Sequence, residues 1–277
     1  PDLLRRVLDP KEKLDGTRPE DYGLPQGERL NEVITQSWNR LRKHWAEFRA
    51  AATSLPEGEA GTGLTNDRWS LPLLRELGFG LLPTSAGPEV GGRSYAISRL
   101  FGPVPVHLVG CGLSLDRRAA GQRGAAAANP HGLVQEFLNR SPAHLWAIVS
   151  NGLRLRVLRD NQALSRQSFL EFDLEAMFAG EVYSDFVLLW LMAHATRFAP
   201  RDGDRPETCW LGACRSNHAD GAWRESGPQV FQEPAAEDAA GKASSTFREV
   251  AEASEHAPCS ATATVTLPAD TPGHATA

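Results

Sequence analysis

The stretch Leu145 to Leu158, LWAIVSNGLRLRVL, restricts the fold more than any other part of the chain. Two runs of strand formers are joined by Asn151-Gly152, a pair that tolerates the positive φ angles a tight hairpin needs. The pattern predicts strands over 145–150 and 153–158 with a type I′ turn between them. In the return strand Leu153, Leu155 and Val157 alternate with Arg154, Arg156 and Leu158, and Arg159 lies beyond. Alternation by two places Arg154 and Arg156 on one face.

Around this hairpin the apolar periodicity lays out the remaining elements. Leu30, Val33, Ile34, Trp38, Leu41, Trp45 and Phe48 recur every three or four residues, which predicts a helix over 28–52. Its other side carries Arg40, Arg42, Lys43 and Arg49, read as a solvated face. A second helix is expected from an Asn66 cap to Leu77, stopped by Gly78, with Pro72 kinking it or marking a late start. Strands follow at 79–82, 94–98 and 104–109, the first two separated by a Gly91-Gly92 turn. A small-residue loop over 121–129 leads to a helix over 133–139. Beyond the hairpin come a strand over 168–172, an Asp173-capped turn over 174–178 and a helix from Glu181 to about Phe198. The order describes an α/β (α+β) layered core, with strands too closely spaced for a doubly wound sheet. The divisions are a loose lead-in over 1–27, a helix and loop over 28–63, an α/β module over 64–200 and a disordered tail over 201–277.

Charge separates the same regions. The 277 residues carry a formal net charge of −5. From Arg215 on, four basic residues face nine acids, so the excess lies in the tail and 1–214 is balanced. A balanced body leaves nucleic-acid binding to a local patch. Arg supplies 25 of the 29 basic residues; it grips phosphate bidentately, although GC-rich coding produces the same bias. No apolar run reaches the roughly 18 residues of a membrane span, and the longest, 186–195, contains His194. Without a signal-like apolar segment at its start, the chain is expected to be cytoplasmic.

Several chemistries lack their residues. Cys209 and Cys214 with His218 approach zinc-ligand spacing, but no second ligand pair follows, and idle thiols are the better reading. There is no phosphate-loop motif, no G-x-S-x-G elbow and no G-x-G-x-x-G; Gly110-Cys111-Gly112 comes nearest but lacks the third glycine and a following helix. The element order invites comparison with the restriction-nuclease core, in which strand-borne carboxylates and a Lys hold magnesium. Here the strand Val106 to Gly110 has neither acid nor Lys. Glu89 and Asp116 are the nearest carboxylates, neither placed where a metal pair needs it, so the metal motif is degenerate and surface salt bridges are the better reading of both.

The segments WSLPLLRELGFG (69–80), VPVHLVGCG (104–112), GLVQEFLNRSPAHLWAIVSNGLRLRVLRDN (132–161) and FDLEAMFAGEVYSDFVLLW (172–190) resemble the N-terminal region of large adenine-specific DNA methyltransferases. These belong to type IIG restriction-modification systems and to phage-defence systems such as DISARM and BREX, and the likeness covers roughly 30–210. The Asn-Gly turn with its basic return strand also resembles the nuclease-like domain of type I restriction subunits. That likeness implies a restriction-nuclease-like mixed sheet flanked by helices, with Gln135 near the site and the E-x-K pair missing. It also implies a parent enzyme using S-adenosylmethionine; the N-P-P-Y-type motif and donor-binding domain are not in this sequence, so the chain alone has no methylase activity and needs no cofactor.

The functional expectation is a catalytically silent, DNA-engaging module of such a methyltransferase, with other defence-system subunits as further partners and no membrane role. Arg117, Arg118, Arg123, Arg154, Arg156 and Arg159 are the candidate phosphate contacts. The alternatives are a magnesium-dependent endonuclease using Glu89 and Asp116, and a protein-docking module with no DNA role. Because the likeness stops just after Leu211, where Ala, Ser, Pro, Glu and Thr take over, the tail reads as an out-of-frame translation truncating a longer gene, with a native disordered tail as the alternative.

Overall fold

The apolar stripe read in 28–52 forms α1 (Leu30–Ala52), which buries Ile34, Trp38, Leu41, Trp45 and Phe48. A fully buried side chain of this size stabilises by about 1.5–3 kcal/mol, so the stripe anchors α1 firmly to the body. The opposite face is solvated as expected, and its arginines make surface ion pairs: Arg40 with Glu76, Arg42 with Glu181 and Arg49 with Glu175. The separate helix-and-loop unit expected over 28–63 is therefore part of the main core. The computed structural model describes residues 16, 18–160, 166–200, 208–211, 244–253 and 259–266.

The second helix, α2, begins earlier than its Asn66 signal. It runs through Thr62–Thr65, a π turn at Asn66–Ser70 and Leu71–Glu76. Pro72 explains the π turn. Its ring cannot donate a hydrogen bond and crowds the carbonyl four residues back, and a wider turn relieves both problems. The Leu71 N–H accordingly reaches back to the Asn66 carbonyl.

Next come β1 (Glu89–Val90) and β2 (Arg93–Ser94), a two-stranded ribbon closed by Gly91-Gly92, both at positive φ. The longer strand expected over 94–98 pairs only at its first residue, although Tyr95 and Ile97 are buried. No strand forms over 79–82; the unexpected strand is β3 (Arg99–Phe101). β3 leads into β4 (Val104–Leu108), then α3 (Pro130–Arg140), β5 (Trp146–Ser150), β6 (Arg154–Arg159), β7 (Arg166–Asp173), α4 (Leu174–Ala179) and α5 (Tyr183–Ala193).

The sheet order is β3-β4-β5-β6-β7, with β4 and β5 parallel and the other neighbours antiparallel. The parallel pair requires a crossover, which the 109–129 loop and α3 supply. Two apolar clusters cover the two faces. Val106, Ile148, Leu155, Val157 and Phe172 pack with α1, α2, α4 and α5. Ala147, Val149, Leu158 and Phe169 pack under Leu133, Val134, Phe137 and Leu138 of α3. The result is a mixed α/β layered fold.

The hairpin register differs by one turn position from expectation. Ser150 pairs with Leu155, which moves the tip to Gly152-Leu153. Gly152 takes φ 80°, and the Asn151 side chain accepts from the N–H groups of Leu153 and Arg154. Glycine first in the tip is the type II′ requirement, with Asn acting as a local side-chain cap rather than as a turn residue. Trp69 in α2 donates to the Gly152 carbonyl at 2.7 Å and fixes the tip.

Two boundary expectations are corrected. In the lead-in, a short 3₁₀ turn over Pro19–Tyr22 buries Tyr22 against Trp190, and burial pushes its phenol up to about 12. In the tail, Cys209, Trp210 and Leu211 join the main core. Strands β8 (Ser244–Ala253) and β9 (Cys259–Thr266) continue the sheet beyond β7. An open β7 edge offers unpaired N–H and C=O groups, and added strands satisfy them. The rest of the expected tail, including Cys214 and His218, and the lead-in over 1–15 lie outside the described residues.

Close backbone packing accounts for Gly110 and Gly112. A Cβ on Gly110 would overlap the Ala60 carbonyl, and one on Gly112 would overlap that of Glu59. Gly112 donates to the Ala60 carbonyl at 3.1 Å. Close backbone approach is the reason for glycine at both positions. Gly110→Ala should lower stability by about 2–4 kcal/mol. Gly121→Ala meets no neighbour within 4 Å and only a φ of 75°, so it should cost about 1 kcal/mol. Urea unfolding of both variants checks this; equal midpoints would refute the close-approach account.

Candidate nucleic-acid interface

β6 and β7 pair so that Arg156 lies opposite Glu171 and Arg154 opposite Asp173. The face they share is the one α3 covers, so this part of the strand is not an open polar surface. The Arg156 side chain is 5% exposed and that of Glu171 1%. A charge that deep must be paired and fully hydrogen-bonded. Arg156 Nε donates to Glu171 Oε2 at 2.6 Å, and its two terminal nitrogens donate to Asp116 Oδ1 and Oδ2 at 2.6 and 2.8 Å. Its guanidinium lies 4.7 Å over the Phe169 ring, and Nη1 sits 3.3 Å from His131 Nδ1. Burial acts against the charge, yet the bonds to Asp116 and the Glu171 carboxylate outweigh it and raise the Arg156 pKa.

The pairing continues sideways. Arg154 reaches Glu171 Oε1 at 3.2 Å and Asp173 Oδ2 at 3.1 Å, while its own side chain stays 43% exposed. Asp173 Oδ1 accepts from the Ala176 N–H and caps α4. One chain of charged contacts thus runs from the 109–129 loop across two strands to a helix start.

The six candidate arginines separate accordingly. Arg117 and Arg118 are exposed and directly follow Asp116, whose carboxylate is fixed on Arg156 of β6. Arg118 Nε donates to the Ala126 carbonyl, an intra-loop contact. Arg123 donates to the Ser85 and Ala86 carbonyls and staples the loop to the preceding segment. Arg156 is corrected from a surface phosphate contact to a buried, paired centre. Arg159 faces the other side of β6, bonded to Asp160 and 5.6 Å over the Trp146 ring.

The two carboxylates of the nuclease alternative lie on different parts of the fold. Glu89 lies in the β1–β2 ribbon and Asp116 is engaged by Arg156. Among the described residues no group of three or more His, Cys, Asp and Glu side chains converges as a metal site. Gln135 ties α3 to the Arg159 carbonyl at 2.8 Å and to Asn139, a packing role. Glu171 and His131 escaped sequence reasoning, and Asp173 was expected only as a helix cap, a role it also fills. A usable signal existed for the two acids, because Glu-x-Asp in β7 repeats the spacing of Arg-x-Arg in β6.

Two histidines support the loop. Burial, then the Arg156 charge, push His131 down to about 4. Burial also pushes His107 down to about 4, although its bond to the Gly124 carbonyl opposes this. Both rings stay neutral in the fold and titrate near 6.5 once unfolded, so the unfolded chain takes protons first. Stability should therefore fall as pH drops from 7 to 5, before most carboxylates titrate. His107→Gln should flatten the slope by up to about one proton. Urea midpoints between pH 7 and 5 test this, and flat midpoints would contradict the buried neutral rings. No family model, curated protein or solved structure matches the chain.

Proposed function

We propose that the edge formed by the 109–129 loop and the start of β6 engages the phosphates of duplex DNA. In this reading the chain is a non-catalytic module of an adenine-specific DNA methyltransferase from a restriction-modification or phage-defence system. One observation carries the DNA part: Asp116, directly before the exposed Arg117 and Arg118, is ion-paired to Arg156, two positions along β6 from the half-exposed Arg154. Clustered arginines on a loop supply the sequence-independent term of DNA affinity, which needs a local patch and no net positive charge. The resemblance of 69–80, 104–112 and 132–161 to methyltransferase N-terminal regions supports the parent family. S-adenosylmethionine belongs to that parent, and other subunits of the system are its further partners.

The structure changes which variant tests the reading. Arg156→Ala would leave the buried Glu171 with the Arg154 contact alone and take the fork from Asp116, at a cost of about 3–5 kcal/mol, so lost binding would only report lost folding. Arg117→Ala with Arg118→Ala removes two exposed guanidinia and leaves the buried pair intact. The double variant should bind duplex more weakly, with a salt slope smaller by about two. An unchanged slope, or no duplex binding by the parent chain, overturns the reading, and a partner captured without DNA then favours docking.

A further inference from the structure

We infer that Asp116 is an exchangeable stand-in for a phosphate on the Arg156 fork, which makes the loop it sits on a latch opened by an anionic ligand. This rests on the DNA reading for the duplex as ligand, but not for the fork itself. Three contacts hold the Arg156 guanidinium from the inside: Glu171 on Nε, the Phe169 ring on its face and His131 beside Nη1. The two terminal nitrogens point outward to Asp116, whose side chain is 62% exposed. Asp116 lies in a stretch with neither helix nor strand between Val109 and Asn129. A guanidinium fork accepts two oxygens of a carboxylate or of a phosphate in the same bidentate geometry.

The two carboxylates on this arginine differ in what their departure costs. Glu171 is 1% exposed and fills the inward Nε donor that water does not reach, so its bond cannot be exchanged for solvent cheaply. Asp116 is largely hydrated already and returns to water with little penalty, as exposed ion pairs do. Exchange of Asp116 for a phosphate oxygen would keep the fork paired and release the Asp116 side chain with the exposed Arg117 and Arg118 after it, while Leu115 stays buried with its carbonyl on the His131 N–H. Whatever weakens the Asp116 contact must then strengthen anion binding, because the two compete for one site.

Asp116→Asn and Asp116→Ala test this in the full chain. The probes are a labelled 20-base-pair duplex and inorganic pyrophosphate, the latter too small to need Arg117 and Arg118. Both variants should bind both probes about fivefold more tightly or better. Their duplex salt slope should rise by about one as Arg156 joins. Trypsin should also cleave after Arg117 and Arg118 faster than in the parent chain. Pyrophosphate binding no tighter in the variants than in the parent overturns the latch, whatever the duplex does. Tighter pyrophosphate binding without any duplex binding leaves the latch standing and removes the DNA reading.

Discussion

Arg156 sits against Glu171 in the covered interior of the sheet, and much of the molecule is arranged around that pair. A guanidinium with 5% of its side chain exposed is tolerable only with its donors filled. Filling them fixes the β6–β7 register, places Phe169 and His131 as walls, and draws Asp116 in from the crossover loop. A slip of one residue between β6 and β7 would move Arg154 and Arg156 to the apolar side now held by Leu155 and Val157. The pair adds little net stability over an apolar substitute, but it penalises wrong registers heavily.

The sheet can hold such a pair because both its faces are covered. Trp69 reaching the Gly152 carbonyl and Gly112 reaching Ala60 bind the α2 region to the ends of β5 and β4. The loop that leaves β4 is anchored at its start by these contacts and at its end by the Asn129 cap of α3. Between the anchors, the Asp116 and Arg123 side chains reach Arg156 and the 85–86 segment, while the Leu115 carbonyl accepts from the His131 N–H and the Gly124 carbonyl from the His107 ring. A loop pinned at several points can hold its exposed side chains in place.

Local periodicity made α1, α3, α5 and the hairpin legible, because each repeats at 3.6 or 2 and faces a core. Gly91-Gly92 was legible as a turn for the same local reason: both residues need positive φ. What stayed hidden depends on contacts distant in sequence. Phe79 and Leu82 are buried by neighbours without joining a strand, and the lone Tyr22 packs on Trp190 far along the chain. Pro72 announced trouble in α2 but not its resolution as a π turn. Arg154 and Arg156 were found on one face, yet their partners on β7 and the loop decide that one is exposed and the other buried.

Arg156 thus has a buried inner bond to Glu171 and a solvent-exposed outer one to Asp116. Nitrogen-15 resonances of the Arg156 side chain, followed while duplex DNA is added, report both at once. The account predicts that the Nε signal, bonded to Glu171, stays in place while the two terminal nitrogens shift as phosphate replaces Asp116. Terminal nitrogens that do not move on saturation with duplex, or an Nε signal that moves with them, would contradict it.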